Sequence, residues 1–365
     1  MKIAHVVRQF HPSFGGLEDF VRNLAQVQKE QGAEVAVITL DTNFQNREKL
    51  PPRDSIDGID VIRVPYFGST RYPVALSAID HLDGFDIIHI HAIDFFVDYL
   101  SLLKRARRIK AKLIVSTHGG IFHTRRFYWL KKLFFRAVTP ISLSGVATVV
   151  ASSYADGELF APVARNLQVI ENGVRLQKFG AVECGVESGR NGFLFLGRFS
   201  VNKNLNQLIR WFAGAIKKTD APLHLYLAGR ADTGDVEAMR QIVRECDAEA
   251  AITIVADPTD AQIRDMIAAS SFVISASQYE GFGLVIPELM SYGLIPVLSD
   301  IPAFAYFIKA AHIGELFDAD QASFTAAVER AVVNRSPAVA AKAREFAELY
   351  SWDKIARRFE AVYVA

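Results

Sequence analysis

Cysteine is scarce. Cys184 and Cys246 are the only two in 365 residues, and neither sits in a CxxC or Cys/His ligand spacing, which excludes a disulfide framework and a structural zinc site and fits a reducing compartment. Net charge is nearly absent too: 41 Lys and Arg against 40 Asp and Glu leave +1, without the basic excess of a dedicated nucleic-acid binder. Long apolar runs are missing. The longest uncharged stretch, 137–155, contains Pro140, Gly145 and several Ser and Thr, and makes a poor spanning helix. The first residues read directly as a strand, with no charged-then-apolar leader. A cytoplasmic chain is expected, soluble or lying on a membrane surface.

What is present is size and an uneven distribution of charge. At about 150 residues per domain the length predicts two to three domains, and 50% hydrophobic content can fill two cores. Residues 1–180 carry 23 basic and 17 acidic side chains, so the near-neutral total hides a basic N-terminal half and an acidic C-terminal one.

Short β-branched runs alternate with longer stretches of helical spacing. Ile3 to Val7, Val35 to Leu40, Val61 to Val64, Ile87 to His91, Leu113 to Thr117, Ala147 to Ala151 and Leu167 to Ile170 are too short for helices and mostly apolar throughout, as strands buried on both faces of a parallel sheet are. Leu17 to Gln31 and Asp94 to Lys110 read as helices between them. Residues 1–174 form one doubly wound α/β domain on this reading. Residues 175–191, with Gly180, Gly185 and Gly189 and no sustained period, read as a linker. A second alternating set in 192–345 starts at Phe193 to Leu196 and ends at Ile295 to Leu298. A last helix, 346–365, is expected to return to the first domain. Two such domains would meet at a cleft lined by the carboxyl ends of their strands, where open α/β sheets bind ligands.

The chemistry is sought in those turns. Gly15-Gly16 precedes the first helix, where backbone N–H groups and the helix dipole attract an anion; a loop that merely needs a positive φ is the alternative. GxGxxG is absent, so nicotinamide binding is not suggested. In the second domain Arg198 and Lys203 follow a strand and precede a helix, a guanidinium and an ammonium suited to a diphosphate. Glu280-Gly-Phe-Gly-Leu-Val-Ile-Pro-Glu288 sets two carboxylates among glycines that free the backbone N–H groups of Phe282, Gly283 and Leu284. Glu280 and Glu288 can accept from the hydroxyls of a sugar and a ribose. As a glycosidase acid and base they would stand too far apart if the segment were helical. Asp257, in a turn after a strand, can read the N1–H and N2–H₂ edge of guanine, which uracil lacks. His89 and His91 share one face of a strand, but a third ligand is wanting, and no metal is expected. Asp318-Ala-Asp320 is better explained as a helix cap than as a metal-binding DxD.

In order along the chain, Gly15-Gly16, Ser116-Thr-His118-Gly-Gly120, Glu171-Asn-Gly-Val174, the Arg198 to Lys203 element and Glu280-x7-Glu288 give a sequence that resembles the retaining glycosyltransferases of family 4, with the GT-B fold of two facing Rossmann-like domains. Segments such as Arg8-Gln-Phe-His-Pro-Ser-Phe-Gly-Gly and Gly293-Leu-Ile-Pro-Val-Leu-Ser-Asp-Ile-Pro are similar to the mannosyltransferases that extend cellobiosyl-diphosphopolyprenol in exopolysaccharide assembly. The resemblance implies a GDP-mannose donor and a polyprenyl-diphosphate-linked glycan acceptor. It gives Arg198 and Lys203 the donor diphosphate, Glu280 and the N–H groups of residues 282 to 284 the transferred sugar, Glu288 the ribose, and Gly16 a phosphate contact. His118 would sit over the sugar. Front-face substitution without a metal or other cofactor is implied, the leaving phosphate taking the acceptor's proton.

Between Tyr99 and Ala155 there are eleven basic residues and no acidic one. Within that stretch Arg125, Arg126, Trp129, Lys131 and Lys132 surround an aromatic run suited to an anionic membrane surface or an acceptor diphosphate; a packing helix with solvated lysines is the plain alternative. Other readings are a transferase using a UDP-sugar or a soluble acceptor, an epimerase on the same fold, and a non-catalytic sugar-nucleotide-binding protein.

Overall fold

The computed structural model describes residues 1–119, 135–186, 189–230 and 233–365. They divide into an N-terminal unit, 1–173 with 352–365, and a C-terminal unit, 174–351.

The N-terminal sheet contains β1 (Lys2–Val6), β2 (Glu34–Leu40), β3 (Arg53–Ile56), β4 (Ile59–Val64), β7 (Ile87–His91), β8 (Lys112–Ser116), β9 (Thr148–Ala151) and β10 (Leu167–Val169). Their order is β10-β9-β8-β7-β1-β2-β4-β3, and every pairing is parallel except β3 with β4. The strand period of two divides the apolar residues between two cores. Ala4, Val6, Ile88 and Ile90 face one layer, which holds α2 (Phe95–Arg105); Ile3, Val7 and Ile87 face the other, beneath α1 (Gly16–Glu30). His5 and His89 share the parity of Ile3 and Ile87. Buried polar rings therefore lie under α1, and sequence periodicity alone marked those positions only as strand interior.

The C-terminal sheet runs β13 (Ile252–Ala256), β12 (His224–Gly229), β11 (Gly192–Leu196), β14 (Phe272–Ser275), β15 (Ile295–Ser299) and β16 (Glu315–Phe317), parallel throughout. Its helices are α5 (Leu205–Ile216), α6 (Thr233–Glu245), α7 (Asp260–Ala269), α8 (Val285–Met290), α9 (Pro302–Ala311), α10 (Gln321–Asn334) and α11 (Pro337–Glu348), counted after α3 (Thr139–Ser142) and α4 (Tyr154–Phe160) of the first unit. The hairpin of β5 (Phe67–Ser69) and β6 (Tyr72–Val74), with β3 and β16, was not signalled by the sequence: each is three or four residues long, below the length at which periodicity registers.

Segment 175–191 departs from the linker expected of it. Phe179, Cys184 and Val186 are buried in the C-terminal core, the Phe179 N–H donates to Tyr292 Oη at 2.8 Å, and the Gly185 N–H donates to the Ser270 carbonyl at 2.7 Å. Apolar side chains at irregular spacing carry no period, yet each finds a hole in the core. At the other end the chain divides at Ser351. α12 (Trp352–Val364) packs on α1 through Ile355, Phe359 and Tyr363, and Trp352 lies against Gly173, where a β-carbon would overlap the indole.

Candidate active site

In the C-terminal unit the two carboxylates and the lysines pair off. β11 ends at Leu196, and Gly197 and Gly229 bring two strand ends so close that a β-carbon on Gly229 would overlap the Gly197 carbonyl oxygen. The chain then exposes Arg198, which has no hydrogen-bond partner among the described residues. Lys203 ends a single 3-10 turn, Val201–Lys203, and Asn204 enters α5 with φ +54°. From there the Lys203 Nζ forms an ion pair with Glu280 Oε1, and Ser277 Oγ donates to the same oxygen at 2.7 Å. Sequence positions 203 and 280 thus share one spot, built from the carboxyl ends of β11 and β14.

Glu288 stands apart from that pair. It lies in the first turn of α8 and binds Lys178 Nζ at 2.7 Å, a cation contributed by the segment taken for a linker. The helix begins at Val285, and the N–H groups of Phe282, Gly283 and Leu284 ahead of it meet no acceptor among the described residues. Gly283 has φ +85°, and a β-carbon there would press on Phe304 at 2.8 Å, so glycine is required for the turn. Asp257 is exposed at the end of β13 with φ +47°. Asp320 caps α10, accepting from the Ser323 N–H at 2.8 Å. A pocket of about 230 Å3 against Phe199, Val201, Leu205, Met239 and Gln278 includes none of the cations or carboxylates above.

In the N-terminal unit Gly15 is the N-cap of α1 with φ −178°, ordinary extended backbone, and Gly16 is its first residue. Neither needs a left-handed conformation, which removes the alternative reading of the pair. A β-carbon on Gly16 would meet nothing within 4 Å, whereas one on Gly15 would run into the Glu18 carboxylate, which lies against the start of the helix.

His118 follows β8 with φ +49°. Asp156, buried on α4, anchors this loop: its Oδ2 accepts from Thr117 Oγ1, from the Gly119 N–H at 3.0 Å and from Ser152 Oγ at 3.2 Å. The His118 ring packs edge-on to Phe20 at 4.6 Å and bonds through Nε2 to His91 Nδ1 at 3.0 Å. Burial pushes its pKa down to about 3, and that of His5 down to about 4, so both are neutral at pH 7. The third histidine that the sequence did not supply for His89 and His91 is His5, from β1: one nitrogen of each lies within 4.8 Å of the others. These nitrogens are engaged in hydrogen bonds to one another and to Gln28, Ser116 and Tyr363. Residues 125, 126, 129, 131 and 132 lie outside the described residues, and no described helix is long and apolar enough to cross a membrane.

Two family models divide the chain as the strands do: Glycosyltransferase Family 4 over residues 14–178 and Glycosyl transferases group 1 over 183–348. The chain is 37% identical, over all of its length and 93% of the relative's, to a GDP-mannose:cellobiosyl-diphosphopolyprenol alpha-mannosyltransferase of Komagataeibacter xylinus. It is 39% identical to a protein of the same name from Xanthomonas oryzae, over 88% of this chain and 84% of that one. The chain belongs to glycosyltransferase family 4. Among solved structures, the lipopolysaccharide outer core galactosyltransferase WaaB matches with TM-score 0.72 at 17% identity, covering 100% of this chain and 99% of that one. A glycosyltransferase from Rickettsia africae matches with TM-score 0.70 at 17% identity, covering 99% and 97%. The fold of this glycosyltransferase is therefore GT-B, and the enzyme transfers a hexose.

Several residues of the glycosyltransferase site were not legible beforehand. Asp156 belongs to none of the motifs, Lys178 sat in a presumed linker, and Gln28 lay within the stretch read simply as the first helix. Glu171, in the Glu-Asn-Gly-Val motif, proves to be buried and held by Arg358 Nη1 of α12 at 2.7 Å, so that this part of the motif ties the terminal helix to the sheet.

Proposed function

We propose that this glycosyltransferase moves mannose from GDP-mannose, with retention, onto a polyprenyl-diphosphate-linked glycan. The observation that carries the reading is full-length identity of 37% to a mannosyltransferase of that name, together with the ion pair that joins Lys203 to Glu280 in the C-terminal unit. Arg198 and Lys203 hold the donor diphosphate and stabilise the charge that grows on it as the C1–O bond breaks. Lys203 does so by turning from Glu280, which frees that carboxylate for a hydroxyl of the sugar. The N–H groups of residues 282 to 284 help to position the hexose, Glu288 takes the ribose, and Asp257 reads the guanine edge. Gly15 and Gly16 offer N–H groups to an anion at the start of α1, once the Glu18 carboxylate beside Gly15 turns away. His118 meets a hydroxyl of the transferred hexose. The acceptor hydroxyl attacks C1 from the face the phosphate leaves, and its proton passes to the departing phosphate oxygen. With two cations on the diphosphate the reaction needs no metal.

The acceptor's lipid places the enzyme on the inner face of the cell membrane. Arg125, Arg126, Trp129, Lys131 and Lys132, in the basic aromatic segment, are the residues proposed to meet anionic headgroups.

A donor panel assayed with and without a lipid-diphosphate glycan tests the whole reading: GDP-mannose is the donor used, transfer requires the lipid-linked acceptor, and EDTA leaves turnover unchanged. Tighter calorimetric binding of UDP than GDP overturns the donor assignment. Failure to co-sediment with anionic vesicles at low ionic strength overturns the membrane assignment.

A further inference from the structure

Four histidines, a glutamine and a tyrosine form one hydrogen-bonded network inside the N-terminal unit. Gln28 of α1 donates from Nε2 to Tyr363 Oη at 3.1 Å and presents Oε1 to His5 Nε2 at 2.8 Å. An amide oxygen only accepts, so His5 carries its proton on Nε2 and its Nδ1 is an acceptor. That nitrogen lies 2.9 Å from His91 Nε2, which must therefore be the donor; His91 Nδ1 is then left to accept from His118 Nε2 at 3.0 Å. A second branch leaves the same glutamine. Tyr363 Oη, having accepted from Gln28, gives its own proton to His89 Nδ1 at 2.8 Å, and His89 Nε2 donates to Ser116 Oγ at 2.7 Å, two residues before His118.

We propose that Gln28, His5 and His91 are positioning residues for His118: the relay fixes the His118 proton on Nε2 and leaves Nδ1 as an unprotonated acceptor for a hydroxyl of the transferred sugar. The inference rests on the role given to His118 above. Three observations support it. Each nitrogen of His5, His89 and His91 has one partner, so these three rings have no spare valence, and among the described residues only His118 Nδ1 is unpartnered. The three inner histidines are fully buried, where apolar side chains would fill the same volume without the cost of burying polar atoms. The His118 ring is also held in place by Phe20. A buried cation is the competing use of these nitrogens, but in this arrangement each of the three rings already directs its proton at a neighbour, His91 at His5, His5 at Gln28 and His89 at Ser116, and among the described residues no carboxylate joins them.

Long-range 1H–15N correlation spectra of 15N-histidine-labelled enzyme test the relay directly, with His118→Gln assigning the His118 signals. The expected wild-type state of His118 is the Nε2–H tautomer. Gln28→Met should mix its tautomers, whereas Gln28→Glu, which still offers His5 an acceptor, should keep Nε2–H. In steady-state kinetics with GDP-mannose, Gln28→Met should lower kcat on the order of tenfold with KM unchanged, and Gln28→Glu should recover most of the loss. A wild-type Nδ1–H tautomer, a His118 spectrum indifferent to Gln28→Met, or one zinc per chain surviving dialysis in the wild type and lost in His5→Phe would each overturn the proposal. Wild-type turnover in His118→Gln would remove the role of His118 itself, and the tautomer spectra separate that failure from failure of the relay.

Discussion

Acid should unfold the N-terminal unit early. His5, His89 and His91 are fully buried and, like His118, have pKa values held below the ordinary 6.5: His5 at about 4, His118 at about 3, and the other two well below 6.5. Desolvation of the imidazolium is the main cause in each. A histidine with a depressed folded-state pKa takes up its proton more readily unfolded, so its contribution is complete above pH 6.5 and is lost as pH falls below that. Between pH 7.5 and 5 a histidine held at about 4, as His5 is, loses about 2 kcal/mol and His118 loses about as much, while His89 and His91 act in the same direction. Asp94 opposes them. Burial lifts its carboxyl to about 7 despite Arg8 at 3.0 Å, and it regains about 2.5 kcal/mol over the same interval as the folded state binds the proton first. His5 and His118 together already outweigh it, and His89 and His91 widen the margin, so the net change is a loss, set against a total stability of roughly 5–15 kcal/mol. Urea denaturation at a series of pH values measures the loss, and hydrogen exchange locates it: peptides from β1 and β7 should lose protection, and those from β11 and β12 should not. Asp94→Asn removes the opposing group and should steepen the loss by about 2–3 kcal/mol. Stability that is flat from pH 7.5 to 5 in both proteins would refute the reasoning.

Three further outcomes follow from single contacts. Arg198→Ala or Lys203→Ala should cut turnover by about 10²–10³-fold, because each removes a charge that meets the leaving diphosphate, while the melting temperature holds. An unchanged rate would favour a non-catalytic binding protein. Asp156→Ala strands the Thr117, Gly119 and Ser152 donors and should cost about 2–4 kcal/mol in urea denaturation, with turnover falling as the His118 loop loosens; a loss under about 0.5 kcal/mol would show that the loop does not depend on Asp156. Gly229→Ala forces a β-carbon into the Gly197 carbonyl and should destabilise by about 3 kcal/mol or more, whereas Gly281→Ala, with nothing within 4 Å, should melt as the wild type does.

Much was determined by sequence alone. The run Ile87–His91 has the bounds read from its β-branched composition, because strands buried on both faces need apolar side chains at consecutive positions. The motifs at Gly15, His118, Arg198 and Glu280 are local and ordered, so the family and its two-part division were legible too. Tertiary structure decided what depends on contacts between distant positions. It joined Lys203 to Glu280 across 77 residues, drew Lys178 out of an apparent linker onto Glu288, and set Arg358 of α12 on Glu171. It also brought His5 beside His91 across 86 residues, turning a histidine pair that suggested little into a chain ending at His118. A side chain's type and its period along a strand are written locally, but its hydrogen-bond partner is fixed by strand order and register, which a linear pattern does not encode.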